Sequence, residues 1–408
     1  MIDPDIVIVG AGAAGVGAAR RLAGSGRAIL LVEASDRVGG RGATIGVDGM
    51  ALDLGCTWLH SAVRNPWSDI AAAAGIAIDR RPQNWGRQYR DLGFSPAEQR
   101  AAWEAYEAFE QRLHDDPPTS DRAIDALPVG GAWNGFIDAL SGYMNGAGLA
   151  TLSVEDFLAY DDHAGEENWR LPGGYGALIA RSLPAVPLAL ATPVSRIDHD
   201  GAAVRLETPR GTITARAAIV TVSTDVLAAG DIAFSPTLDD HLEAASRLPL
   251  GLANKLFLQL DDAEEFDPDS HLLGRPRAAD SGSYFLRPFG RPLVECFFGG
   301  EGAHEVEALG FDGGAAFAID ELAGLLGNDI RSRLRLVAGS AWGHADGFRG
   351  SYSHALPGHH AARAKLAEPV ADRLFFAGEA CSPTDFSTAH GALASGIAAA
   401  EAALAAIG

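Results

Sequence analysis

The segment Asp5–Gly15 constrains this chain more than any other. A β-branched run, Ile6–Val9, leads into Gly10-x-Gly12-x-x-Gly15, and small residues continue as a helical stretch to about Ala23. A second apolar run, Ala28–Val32, ends on Glu33. Strand, glycine turn, helix and strand form a βαβ unit and predict a parallel sheet. The glycines allow the tight turn and let backbone approach a pyrophosphate at the helix N-terminus, and the acid accepts from ribose hydroxyls. A lone GxGxxG is weak. Strand, helix and acid in place make it specific for a dinucleotide, without separating a nicotinamide from a flavin.

The next element separates them. Arg37-Val38-Gly39-Gly40-Arg41 follows the second strand directly, with two glycines that let backbone pack on a bound cofactor and Arg41 able to neutralise a phosphate. A nicotinamide dehydrogenase has no reason for it here. The bland alternative is a surface turn with incidental arginines.

Charge excludes some partners. Lys+Arg number 32 and Asp+Glu 53, so the balance is 32 − 53 = −21. Such a surface repels phosphate backbones, which argues against nucleic acid, and attracts small polycations. Solubility alone would also account for it. Cys56, Cys296 and Cys381 are widely spaced with no CxxC, so no disulfide framework and no metal-ligand spacing is expected. The N-terminus lacks a signal-peptide pattern, no apolar run is expected to reach the ~18 residues of a membrane span, and a cytoplasmic location is expected.

Later segments fill in the organisation. Ser95-Pro96-Ala97-Glu98 predicts a helix start with Ser as N-cap and Glu at N3, running to about Leu113. Further helices are expected at about Trp133–Asn145 and Ser153–Tyr160, and Leu171–Gly176 as a loop into another. Asp200-Gly201 between VSRID and AVRLET predicts a hairpin, and Leu250–Leu260 a long strand with neighbours at Ser283–Phe289 and Leu293–Phe298. Dinucleotide-domain signals fall at both ends and in the middle. The expected fold is therefore α/β (α+β): a Rossmann-like FAD-binding domain of residues 1–78, 187–238 and 336–408, interleaved with a substrate domain of mixed sheet plus helices at 79–186 and 239–335.

Six ordered segments resemble the FAD-dependent amine oxidases, the family of monoamine and polyamine oxidases. They are the glycine fingerprint with RVGGR; Asp53–His60 (DLGCTWLH); Gly251–Lys255 (GLANK); Trp342 with Arg349-Gly350-Ser351-Tyr352-Ser353; Phe376-Ala377-Gly378-Glu379; and Ser387-Thr388-Ala389-His390-Gly391-Ala392. Together they span almost the whole chain. The resemblance implies cofactor contacts at Gly10, Gly12, Ala14, Gly15, Glu33 and Ala34. It implies further ones at Gly40, Arg41, Gly55, Cys56, Thr57 and Trp58, and at Val194, Gly378, Glu379, Thr388 and Ala389.

The details resemble the polyamine oxidase branch. Tyr352 stands at one position of the two-tyrosine cage of monoamine oxidases, and Thr388 at the other, as in polyamine oxidases. His60 matches a histidine that contacts polyamine chains there; a buried histidine bonded to backbone is its bland alternative. Lys255 matches the lysine that holds a water at flavin N5; an edge-strand lysine reaching solvent is the alternative. Trp342 and Tyr352 match the substrate-side wall. Ser351 stands where monoamine oxidases carry the flavin-bonding cysteine, which implies non-covalent FAD. Of the acidic pairs Asp161-Asp162, Glu166-Glu167, Asp261-Asp262 and Glu264-Glu265, only Glu166 or Glu167 is expected near the active-site mouth.

The implied reaction takes a hydride equivalent from the α-carbon of a di- or polyamine to flavin N5. The imine is hydrolysed, and O2 is reduced to hydrogen peroxide. Rival readings are an oxidase or dehydrogenase of a monoamine or cyclic amine, an L-amino-acid oxidase, or a flavin-bearing interaction protein like the histone demethylases.

Overall fold

The structure, a computed structural model, describes residues 4–408. It divides into two compact units. The first holds the chain up to Arg80, Ala159–Leu250 and Ala345–Gly408; the second holds Arg81–Leu158 and Gly251–His344.

At the centre of the first unit, five parallel strands run in the order Leu374–Phe376, Ala217–Val220, Ile6–Val9, Ile29–Val32, Leu188–Ala189. Both faces are covered, which is why these strands read as unbroken apolar runs. Ile6, Ile8, Leu31, Ile219 and Phe375 pack toward the helices Ala13–Leu22 and Ala389–Ile407. Val7, Val9, Val32, Val220 and Phe376 pack with Ile197, Val204, Leu206 and Phe234 of a four-stranded sheet. In that sheet, Arg196–Asp198 and Val204–Thr208 pair antiparallel around the Asp200-Gly201 turn, as expected.

The C-terminal helix corrects one expectation. Ala389–Ile407 is 19 residues long and apolar enough, by length and composition, to cross a membrane. Half of its apolar window is buried, and a Cβ on its Gly396 would lie 2.0 Å from the Ala14 carbonyl oxygen. Close packing on the glycine-loop helix thus accounts for its small residues.

In the second unit, five strands run antiparallel in the order Ser270–Leu273, Ser283–Leu286, Leu293–Gly299, Ala253–Leu260, Leu334–Gly339. The sheet is wholly antiparallel where a mixed one was expected. Helix Pro96–Asp115 starts with the expected capping box: Ser95 accepts from the Glu98 N–H, and the Glu98 carboxylate accepts from the Ser95 N–H at 3.1 Å. Helices Asn134–Asn145 and Val154–Asp161 follow.

The longest helix, Glu301–Leu326, is not among those expected from the sequence. It is broken at Gly310, whose φ of 70° and ψ of 177° are not helical. Its glycines blur the helical period, so no amphipathic stripe marks it.

Unit boundaries also differ from those expected. Residues 159–186 belong to the first unit, because Trp169–Arg170 pairs with Trp58–Leu59 and helix Tyr175–Arg181 starts on the Asp53 carboxylate. Residues 239–250 also fall in the first unit. Residues 336–344 fall in the second, since Leu334–Gly339 completes its sheet.

Candidate active site

The glycine loop is built as the fingerprint requires. A Cβ on Gly15 would lie 1.9 Å from the Gly10 carbonyl oxygen, and one on Gly40 2.9 Å from the Gly12 Cα. Only glycines let these turns touch. Glu33 is buried; its Oε2 accepts from the Ala11 N–H (2.6 Å) and its Oε1 from the Ser35 N–H and hydroxyl (2.8 Å each). The carboxylate is held at the strand end, with lone pairs left for ribose hydroxyls. Ala14 is buried on the same helix, Ala34 is exposed, and Val194 sits in the core beside the sheet.

The two arginines of the next turn are anchored differently. Arg41 Nη1 donates to the Glu379 carboxylate (2.9 Å) and the Ser351 carbonyl (2.8 Å), so its charge is balanced inside the protein. Arg37 Nη2 donates to the Gly40 carbonyl (2.7 Å), while its buried Nη1 has no hydrogen-bond partner. Burial lowers the Arg37 pKa, with Glu33 and Asp36 opposing. A buried guanidinium N–H without an acceptor, beside the glycine turn, fits an anionic group such as a dinucleotide phosphate. The residues present therefore suit FAD, and Arg37 would hold a phosphate.

Glu379 anchors the closing segment. It accepts from Arg41, the Ser353 hydroxyl and N–H and the Ser387 N–H. Burial alone would raise its pKa; Arg41, Ser353 and Arg363 together hold it below the usual value, so it stays ionised. Arg363, which the sequence reading missed, is fully buried, donates to the Ser353 hydroxyl (2.9 Å) and stacks 3.6 Å from the Phe386 ring centre. No local motif marks it, since its partners lie 10 or more residues away.

A polar chain surrounds His60. Asn168 Nδ2 donates to the Glu166 carbonyl (3.0 Å), which turns Oδ1 toward His60 Nδ1 at 2.6 Å. That orientation requires the proton on Nδ1 and leaves Nε2 as the acceptor. Desolvation pushes the His60 pKa down to about 4, against Asn168 and reinforced by His390. The ring is neutral at ordinary pH. Asn65 Nδ2 donates to the His60 carbonyl (2.9 Å), and His390 Nε2 lies 3.1 Å from Asp385, which also pairs with Arg64.

Thr388 caps the C-terminal helix. Its hydroxyl donates to the Asp385 carbonyl (2.6 Å) and accepts from the Gly391 N–H (3.0 Å), so its proton is not offered to a ligand. Ala389 is held by the Trp67 indole N–H on its carbonyl (3.0 Å). The phenols of Tyr352 and Tyr160 are both raised by burial, Tyr160 to about 12, and both stay protonated. Gly55, Cys56, Thr57 and Trp58 are half-buried, with Arg170 5.0 Å from the Trp58 ring centre. Glu166 and Glu167 are exposed; what enters the site is the Glu166 backbone carbonyl, through Asn168.

Lys255 and Trp342 belong to the second unit. Lys255 is on an inner strand, with its side chain only 7% exposed and Nζ 3.1 Å from Glu295 Oε1. That overturns the edge-strand alternative. Its N–H donates to the Ser340 hydroxyl (2.9 Å), which donates to Asn254 Oδ1 (3.3 Å); the same oxygen accepts from the Trp342 N–H (2.9 Å). The Glu307 carboxylate accepts from Asn254 Nδ2 and so fixes the amide's orientation. One amide thus couples the lysine strand to the tryptophan segment. The structure brings together His60, Tyr352, Thr388 and the cofactor residues in one unit, and Lys255 with Trp342 in the other.

Two desolvated histidines make stability depend on pH. His271, hydrogen-bonded to the Ser283 hydroxyl (2.8 Å), is pushed by burial down to about 4, as His60 is. Between about 4 and 6.5 the unfolded chain binds protons that the folded chain does not, so stability falls as pH falls. Each contributes on the order of 2–3 kcal/mol across that window. Thermal unfolding should drop steeply from pH 7 to 4.5, less so in His271→Gln; equal slopes would contradict this.

The family model for flavin containing amine oxidoreductases matches residues 78–404, and that for NAD(P)-binding Rossmann-like domains matches 8–74. The chain belongs to the flavin-dependent amine oxidoreductases, and its cofactor is FAD. Polyamine oxidase 2 of Arabidopsis thaliana is 27% identical, over 98% of this chain and 88% of its own. Polyamine oxidase 3 of Oryza sativa subsp. japonica is 29% identical with the same coverage. Among solved structures, a redesigned putrescine oxidase variant superposes with a TM-score of 0.78 at 18% identity, covering 98% of this chain and 99% of that one. Cyclohexylamine oxidase from Brevibacterium oxydans gives 0.77 at 20%, covering 99% of both. These two share the fold.

Proposed function

We propose that this flavoenzyme oxidises a di- or polyamine, releasing an imine for hydrolysis and passing electrons to O2. The observation that carries the reading is His60. It is neutral and held in one tautomer by Asn168, as suits a polar contact to an uncharged amine. Near full-length similarity to polyamine oxidases and a net charge of −21 support it.

Bound FAD supplies the two-electron acceptor for the hydride equivalent leaving the amine's α-carbon. The chain's own residues bind and orient the amine and lower its pKa. Hydride loss needs the nitrogen lone pair, whereas free alkylamines stay protonated to pH ~10. The ring of Tyr352, as an apolar wall, disfavours the ammonium by desolvation. Lys255, by its match to the family's lysine, would order a water for the reaction.

Anaerobic flavin reduction should be faster with 1,4-diaminobutane or spermidine than with benzylamine or tryptamine. The rate at subsaturating amine should fall as salt shortens the Debye length from ~30 Å at 0.01 M to ~10 Å at 0.1 M. A preference for aromatic or cyclic monoamines, flat with salt, would move the assignment to a monoamine or cyclic-amine oxidase.

A further inference from the structure

We propose that Glu295 is a specificity-determining residue: its carboxylate receives the second ammonium of a di- or polyamine while cancelling the charge of Lys255. This rests on the reading above that Lys255 stands where the amine reacts. In the antiparallel register Lys255 lies opposite Phe297 and Phe257 opposite Glu295, so all four side chains leave the same face of the sheet. Phe285 lies opposite Glu295 on the next strand. Tyr143 stacks on Phe297 at 5.9 Å and His271 on Phe285 at 5.2 Å. The only ion pair on this aromatic face is Lys255–Glu295, at 3.1 Å and with side chains 7% and 13% exposed, among the described residues.

Stability does not explain such a pair. Desolvating two charges costs about as much as their attraction returns, and apolar side chains of similar volume would pack as well. Substrate chemistry does explain it. A monoamine reacts as the neutral base and brings no charge, whereas a diamine with one neutral reacting nitrogen still brings an ammonium. Beside Lys255 alone that ammonium would be repelled. With Glu295 the local charge is balanced, and a carboxylate's several lone pairs can serve two cations. The carboxylate therefore selects for the second nitrogen rather than for the reaction itself.

The test uses stopped-flow reduction of the FAD-loaded enzyme by 1,4-diaminobutane and by butylamine, and reads the ratio of their apparent affinities. Glu295→Gln should cut that ratio at least tenfold, leaving butylamine within about twofold of wild type. Glu295→Asp, which keeps the carboxylate, should restore part of it. Should Glu295→Gln not hold FAD, Lys255→Met combined with Glu295→Gln buries no unpaired charge, and its ratio should still fall below that of Lys255→Met. Equal losses for both amines would make Glu295 only a structural partner of Lys255 and overturn the proposal while the polyamine reading stands. A wild-type enzyme without preference for the diamine would overturn both.

Discussion

Arg37→Met is expected to yield a folded protein that has lost most of its flavin. The wild-type guanidinium is half-buried beside the glycine turn, anchored by Nη2 on the Gly40 carbonyl, with its buried Nη1 lacking an acceptor. A charge-assisted bond to a phosphate there is worth ~1.5–3 kcal/mol, or roughly 10- to 150-fold in FAD affinity. Methionine keeps the stem's packing and removes the donors. The loss can appear only because FAD can leave: Ser351 offers no thiol for a thioether, so denaturant should also release FAD from the wild type. Visible absorbance after purification and titration of apoprotein with FAD measure the effect. Full occupancy and unchanged affinity in Arg37→Met would return the phosphate to Arg41.

Lys255→Met is expected to slow flavin turnover by on the order of tenfold or more, the loss of one charge-assisted contact of ~1.5–3 kcal/mol. The ion pair with Glu295 complicates that variant, because removing the ammonium leaves a buried carboxylate unpaired. Breaking such a pair costs ~3–5 kcal/mol of stability. The comparison is therefore made between wild type and Lys255→Met combined with Glu295→Gln, neither of which buries an unpaired charge. Stopped-flow traces of the reductive and oxidative half-reactions should show the deficit in at least one. Two wild-type rates would leave Lys255 as a structural residue.

The parts of the molecule legible in its sequence are those dictated locally. Gly10-x-Gly12-x-x-Gly15 and Glu33 are fixed by backbone contact over short stretches, and the Ser95–Glu98 capping box is self-contained. The dinucleotide core was readable for that reason. Helix Glu301–Leu326 was not, because Gly310 splits it and glycines erase its stripe. The residues that orient the site were hidden differently. Asn168 acts on His60 across 108 positions, Arg363 meets Glu379 through Ser353, and Glu295 meets Lys255 only through strand register. Nothing in their own neighbourhoods marks them. The buried counter-charge of Arg41, Glu379, lies 338 positions on and is equally invisible in its neighbourhood.

The most direct test of the account is an anaerobic titration of the purified yellow protein with 1,4-diaminobutane. The account predicts that the flavin absorbance bleaches fully with about one equivalent of amine per flavin and returns on admitting air, with hydrogen peroxide formed. A flavin that stays oxidised with this diamine and with mono-, cyclic and polyamines alike would contradict it.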